Sequence, residues 1–358
     1  MTGNKGEWSE IYVLFRLLGL GKLYSADENL NKIKDMFYPI LRIFRNEDVN
    51  DNKEFEIIDR TNKVKIYINK KLTQELDTQT FINEARYLYE KILNGGDRTF
   101  SIPESEKFMK EIGCHKLAAS STDKTDITMQ LHDIHTGYSP VCGFSIKSEL
   151  GNAPTLINAS KATNFIFEVT GLSSKRIEEI NSINTKNKIK DRMSIIRDEA
   201  SSIEFVKCSN NQFATNLMMV DTRMCEIIAF ALLSHYCNDI TSCNEVIFQL
   251  EKANPLGFPA PGFYRHKFKE FLCSSALGLT PSRAWDGRDE ANGGYIVVNQ
   301  EGDVLAYHIY NRDCFKDYLL NNTKFERGST TRHEYATLYT EPTGKTYLAL
   351  NLQVRFIK

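Results

Sequence analysis

The stretch "TDITMQLHDIHTGYSPVCGFSIKSELG", residues 125–151, decides how this chain is read. Its first part alternates. Ile127, Met129 and Leu131 are apolar, while Asp126, Thr128, Gln130 and His132 are polar, the period-two pattern of a half-buried strand. "HTGYSP" is a turn, and "VCGFSIKS" returns as a second strand. The pair predicts an antiparallel hairpin. Alternation places Ser145 and Lys147 on one face. The two ends of an antiparallel hairpin lie side by side, so Asp126 is expected next to Ser145 and Lys147. A carboxylate, a hydroxyl and an ammonium then share one sheet edge.

That trio suits the hydrolysis of a phosphodiester. A carboxylate binds Mg²⁺, a hard cation that wants oxygen ligands and keeps several waters. The metal lowers the pKa of a bound water and offsets charge on the scissile phosphate. The lysine orients or deprotonates the attacking water, or stabilises the developing negative charge. The pattern resembles the D…(E/D/S)xK arrangement of the PD-(D/E)XK nuclease fold. "GEWSE", residues 6–10, opens a helix and places Glu10 where many members of that fold carry a glutamate pointing at the metal. The plainer reading of Glu10 is a first-turn acid favoured by the helix dipole.

Working outward, "EWSEIYVLFRLLGLG" is helical, with Trp8, Ile11, Phe15 and Leu18 on one face and Gly19 or Gly21 as the stop. "LNKIKDMFYPILRIFR" is expected to be a second helix, capped by Asp27 or Ser25 and kinked at Pro39. "FEIIDRTNKVKIYI" predicts two strands around a turn at Thr61 and Asn62. "TQTFINEARYLYEKILNGG" predicts a helix capped at Thr78 or Thr80, and "SIPESEKFMKEIG" a shorter one. After the hairpin come a strand in "TNFIFEVTG", two charged helices in "SSKRIEEINSI" and "KIKDRMSIIRDEASS", and a buried helix in "TRMCEIIAFALLSHYC". From Pro255 the texture turns to Pro, Gly, aromatics and base. A boundary is therefore expected there, with 1–254 holding a helical region and a core centred on about 121–171, and 255–358 a β-rich region. "GGYIVVNQEGDVLAYHIY" predicts a second hairpin, and "KTYLALNLQVRFIK" a final strand. The expected class is mixed α/β, a mixed sheet flanked by helices with additional N- and C-terminal elements.

Composition narrows the rest. The 358 residues are 41% hydrophobic, enough for a large core, and the net charge is −1, so any nucleic-acid surface must be a local one. The eight cysteines show no CxxC and no zinc spacing, which reads as buried thiols. No phosphate-cradling Gly loop or nucleophile elbow occurs. "MTGNKGEW" lacks a basic segment followed by an apolar one, and no apolar run reaches the ~18 residues of a membrane span. A soluble cytoplasmic protein is expected.

Four blocks carry a more specific resemblance: "KGEWSEIYVLFRLLGLGKLYSADENLNKI", "TDITMQLHD…GFSIKSELGNAPTLINASKATNF", "WDGRDEANGGYIVV" and "NTKFERGSTTRHEYATLY…LALNLQVRF". Together they resemble the HpaII family of type II restriction endonucleases nearly end to end. The resemblance implies Mg²⁺-dependent cleavage of double-stranded DNA at CCGG, leaving 5′-phosphate ends, on a PD-(D/E)XK core. Two positions depart from that fold's pattern. Thr125 stands where proline is usual, and Ser145 replaces the middle acid. Glu10, Glu149 and Glu168 are the candidates to supply the missing carboxylate, with Glu10 preferred. The missing acid also leaves open a sequence-specific DNA-binding protein with an inactive core.

A CCGG site asks for Arg or Lys on guanine N7 and O6, and Asp or Glu on the cytosine amine. "RAWDGRDEANGG" supplies Arg283, Asp286 and Arg288. "FERGSTTRHEY" supplies Arg327 and Arg332. "FYRHKFK", with Arg265 and Lys267, reads as a stripe for phosphates, and "KNKIKDR" as a solvated helix face. A palindromic site implies a two-fold homodimer as the simplest geometry, although a monomer could cut one strand at a time.

Overall fold

The computed structural model describes residues 1–47, 52–96, 98–117 and 125–357. The first four residues of the expected core, 121–124, lie outside them. α1 (Lys5–Leu20) buries Trp8, Ile11, Phe15 and Leu18. Asn4 caps it by accepting the Glu7 N–H at 3.1 Å, and Glu7 in return accepts the Asn4 N–H at 2.7 Å, which satisfies two donors at the helix start. Gly21, left-handed at φ 64°, donates back to the Leu17 carbonyl and ends the helix.

Five strands follow: β1 (Lys22–Ala26), β2 (Lys32–Asn46), β3 (Asn52–Ile58), β4 (Lys63–Ile68) and β5 (Lys71–Asp77). β2 corrects the expectation of a kinked helix. It pairs antiparallel with β1, β3 and β6 (Ile127–Leu131). The register against β6 shifts between Ile40 and Arg42, and such a bulge inverts the alternation. Tyr38, Ile40 and Ile43 are the side chains buried. That uneven spacing, with Phe37 and Phe44 beside it, imitates a helical stripe. The expected caps serve a turn instead. Asp27 Oδ1 accepts the N–H groups of Asn29 and Asn31, and Ser25 is buried within β1. α2 (Thr78–Asn94) is preceded by Asp77 at the cap position, not by Thr78 or Thr80, and Asp77 makes no side-chain capping bond. α3 is Pro103–Glu111.

The decisive hairpin forms as expected, with β6 antiparallel to β7 (Val141–Ser148) and Ile127 opposite Phe144. Beyond it run β8 (Thr155–Ile157), β9 (Asn164–Thr170), α4 (Ser174–Ser182), α5 (Lys188–Glu199), β10 (Ser202–Cys208) and four helices, α6 (Asn211–Val220), α7 (Met224–Asn238), α8 (Cys243–Ala253) and α9 (Phe263–Leu277). The second hairpin is β11 (Gly294–Val298) and β12 (Val304–His308). α10 (Arg312–Asn321), β13 (Thr323–Phe325), α11 (Thr330–His333), β14 (Leu338–Thr340), β15 (Thr346–Asn351) and β16 (Val354–Phe356) complete the chain. The single final strand expected from the sequence is thus two strands, in different sheets.

The class is mixed α/β. Nine strands form one sheet in the order β1-β12-β11-β7-β6-β2-β3-β4-β5, and β1 also pairs with β2. Six strands therefore close on themselves, and β3, β4 and β5 extend from the ring. β11 joins β7 in parallel, with Tyr295 beside Ser145 and Val297 beside Lys147. Two smaller sheets run β10-β9-β15-β14 and β13-β16-β8. One core packs α1, α2 and α3 against the large sheet through Phe15, Phe81, Phe108, Phe144 and Ile146. The other gathers α6 to α10 against Tyr295, Tyr307 and the smaller sheets. Each core draws on residues from both sides of position 255. Among the described residues no helix is long and apolar enough to cross a membrane, and all eight cysteines are free.

Candidate active site

Asp126 sits one residue before β6, and its N–H donates to the Phe144 carbonyl at 2.9 Å. This anchors the carboxylate across from Ser145. The Ser145 hydroxyl donates to Asp126 Oδ2 at 3.2 Å, and the Ile146 N–H donates to the same oxygen at 2.6 Å. Oδ1 accepts no hydrogen bond among the described residues. One carboxylate oxygen is thus fixed by its own hairpin and the other is left over. Tyr295, the parallel neighbour of Ser145, is fully buried, and its hydroxyl has no partner among the described residues. Burial first, then Tyr318 and the Asp126 charge, push its phenol well above the ordinary range. Its strand partner could not be read from the sequence, because β7 and β11 lie about 150 residues apart.

Lys147 is half-buried and forms no ion pair among the described residues. It stands between two clefts. The larger, about 580 Å³, is also lined by Glu10, Ser148 and Asn152. α1 brings Glu10 there, because the Ser9 hydroxyl donates to the Ser148 hydroxyl at 2.8 Å and ties the helix to the end of β7. The smaller cleft, about 200 Å³, is lined by Glu149, Tyr318 and Asn322 together with Lys147. Burial, and secondarily Glu301, push the Glu149 carboxyl above its ordinary pKa. Glu168 lies in a different sheet and is held by Lys345 at 2.9 Å. The hairpin therefore joins Asp126 to Ser145 and carries Lys147 two residues further along β7, where Glu10 lines one of the two clefts at the lysine and Glu149 the other. Among the described residues no group of three or more His, Cys, Asp or Glu side chains is poised to hold a metal ion.

The loop between α9 and β11 is built onto this hairpin. Thr125 Oγ1 donates to the Glu290 carbonyl at 3.0 Å, the Gly143 N–H donates to Asn292 Oδ1 at 2.8 Å, and the Gly293 N–H returns to the Gly143 carbonyl at 2.8 Å. Asn216, fully buried on α6, shapes the other end. Its amide donates to the carbonyls of Thr280 and Arg283 and accepts the Trp285 N–H. Sequence reading missed Asn216, which looks like any polar residue in an apolar helix. The loop carries Arg288 and Asp286 outward, with side chains 89% and 70% exposed and 3.7 Å apart.

With this geometry in place, comparison with known proteins is decisive. The model of the HpaII restriction endonuclease family matches residues 4–356. The chain belongs to that family. It is 40% identical over 360 residues, covering 99% of each chain, to "Type II restriction enzyme HpaII" of Haemophilus parainfluenzae. No solved structure matches it. As a member of the HpaII family it is a type II restriction endonuclease, a site-specific hydrolase of double-stranded DNA belonging to a restriction–modification system.

The remaining expected DNA contacts of this family member fall into two groups. Arg283 faces Glu290 at 3.4 Å on the same loop as Arg288. Arg332 lies exposed on α11. Arg327 is held over the Tyr236 ring and against Asp239 at 2.9 Å. On α9, Arg265 donates to Asn244 and faces Asp317 at 3.8 Å, Lys269 meets Asp317 at 2.9 Å, and Lys267 is paired with Asp221. The α9 stripe is thus engaged with α8, α10 and the end of α6.

Proposed function

We propose that this HpaII-family enzyme cleaves double-stranded DNA at CCGG with Mg²⁺, leaving 5′-phosphate ends, and that its hairpin is the core of a PD-(D/E)XK site. The observation that carries the reading is the division of labour at Asp126. Ser145 and the Ile146 amide fix one oxygen and leave the other without a hydrogen bond among the described residues, and the same strand carries Lys147, which pairs with no described carboxylate. Mg²⁺ needs only one or two carboxylates, with waters and phosphate oxygens completing its shell, so this donor set fits the ion. Asp126 and Glu10 would hold it, with Glu149 as the competing second ligand. Glu168 is set aside because Lys345 already occupies it. A bound Mg²⁺ supplies a water of lowered pKa and neutralises phosphate charge.

The chain's own groups do the rest. Ser145 donates to Asp126 Oδ2 and so fixes the carboxylate through that one oxygen. Lys147 presents its ammonium to the scissile phosphate or to the attacking water, where charge develops. The exposed pair Arg288 and Asp286 suits guanine N7 and O6 on one strand and the cytosine amine on the other. Arg283 and Arg332 are further candidate donors, whereas Arg265 and Lys267 on α9 are already engaged by Asp317 and Asp221. A four-base palindrome favours two copies related by a two-fold axis. The cytoplasm, where foreign DNA arrives, is the compartment this activity requires.

The test is a digest with purified protein. One plasmid carries CCGG and a second has every such site removed, each with Mg²⁺ or with chelator. Discrete fragments from the first plasmid with Mg²⁺ alone are expected. CCGG-confined binding without cutting would instead establish a DNA-binding protein with an inactive core. Glu10→Gln and Glu149→Gln then separate the two flanking acids. The true ligand loses about 10²-fold or more in rate, the scale of one removed catalytic group, and the other stays within a few fold. Glu149→Gln carries a second readout. An acid whose pKa is raised by folding costs stability as pH climbs above its ordinary value, so the amide should raise the melting temperature at pH 7.

A further inference from the structure

A second charged cleft, of about 560 Å³, opens between the turn before α5 and the segment after β13. One wall carries Lys186, Lys188 and Lys190. The other carries Arg327, followed by the hydroxyls of Ser329 and Thr330. Asp239, the only carboxylate in the lining, lies at the end of α7 and joins the walls, bonding Lys190 at 2.8 Å and Arg327 at 2.9 Å. Four cations therefore face one acid. Lys186 is exposed and has no partner among the described residues, and Lys188 reaches only the Asn184 amide oxygen at 3.3 Å. Arg327 is rigid by comparison. Its guanidinium lies over Tyr236 with the centroid 5.3 Å away and donates to the His235 carbonyl.

We propose that this cleft grips the sugar–phosphate backbone of the duplex away from the scissile bond. The proposal rests on the reading of the chain as a DNA-cleaving enzyme and adds a contact surface to it. Three features select a phosphodiester. The lining is cationic and hydroxylic, it holds no aromatic ring on which a base could stack, and its one carboxylate is already consumed by two cations. Reach fits as well. Asn322 lines the smaller Lys147 cleft and Arg327 lines this one. Five residues of chain span at most about 18 Å. A strand of duplex carries a phosphate every ~3.4 Å along its axis, so one lining residue of each cleft falls within a span of about five nucleotides.

The contact is to phosphate, so it carries no sequence information. The experiment is equilibrium binding of full-length protein to a CCGG duplex and to a matched duplex without the site, in chelator, over a range of salt. Lys186→Ala/Lys188→Ala removes two cations that pair with no acid among the described residues, and a thermal melt checks that the variant is folded. We expect the slope of log affinity against log salt to become shallower by about 0.9 for each phosphate lost, with both duplexes weakened by the same factor. Lys186→Glu, which changes the charge by the same two units, should weaken both to a similar extent. An unchanged slope in a folded variant overturns the cleft. A wild type that binds both duplexes equally, with the variant still shallower, would overturn CCGG recognition and leave the cleft standing. If the double variant does not fold, Lys186→Glu alone decides by the same slope.

Discussion

Two basic runs in this chain have the same spacing and opposite fates. Arg265, Lys267 and Lys269 alternate on α9, and Lys186, Lys188 and Lys190 alternate at the start of α5. On α9 each cation meets an acid: Lys267 meets Asp221, and Lys269 and Arg265 share Asp317. At α5 only Lys190 does. The acids that neutralise α9 come from 46 and 48 residues away. Charge in a sequence thus announces a capacity. Whether the capacity is spent inside the fold or offered to a partner depends on which distant carboxylates the topology delivers.

Lys147 is the extreme of the unspent kind, and breaking it should have the largest effect. Lys147→Ala is expected to lower single-turnover cleavage by about 10³-fold with an unchanged melt. Cleavage within tenfold of wild type would remove the lysine from the chemistry. The next effect concerns imidazoles that the fold keeps from becoming cations at all. Burial pushes His235 and His308 down to about 4. Neutral in the fold and protonated when unfolded, they should cost stability as pH falls from about 6.5 toward 4, by roughly 3 kcal/mol each at the acid end. Chemical denaturation at pH 7 and pH 5 reads this, and a flat profile would contradict it.

Arg288 tests the outward cations of the loop. Arg288→Ala should cost about 1–3 kcal/mol of discrimination between CCGG and a site altered at one pair, read as a ratio of cleavage rates. A uniform loss on every duplex would make it a phosphate contact instead. The smallest effect is expected on α9. Lys267→Ala should lower stability by about 1 kcal/mol, the upper end for a surface pair because both side chains are mostly buried, and leave the salt slope of binding unaltered. A shallower slope there would erase the contrast between the two runs.

Much of the site was legible because it is local. Asp126, Ser145 and Lys147 lie on one hairpin, and period-two alternation together with the antiparallel return sets Asp126 against Ser145. α1 was legible for the same reason, with its apolar stripe and a glycine stop. β2 was not. Its bulge produces a burial spacing that copies a helix, and it is held by strands from both directions along the chain. The partners of Lys267 and Lys269, the unpartnered hydroxyl of Tyr295, and the grip of Asn216 on the 280–288 loop are all products of non-local packing. None leaves a mark in the residues beside it.

The closure of six strands into a ring bears on how two copies of this chain could meet. An open sheet invites strand addition along its edge. Here β6 and β7, which hold the acid and the lysine, each have a strand on both sides. The large sheet ends at β5, where Lys71, Glu75 and Asp77 interrupt the margin with charge. A twin of this molecule thus has no free backbone to pair with at β6 and β7. Any symmetric assembly over those strands must be made by side chains and loops, and the geometry of the hairpin that carries Asp126 and Lys147 can stay the same in one copy as in two.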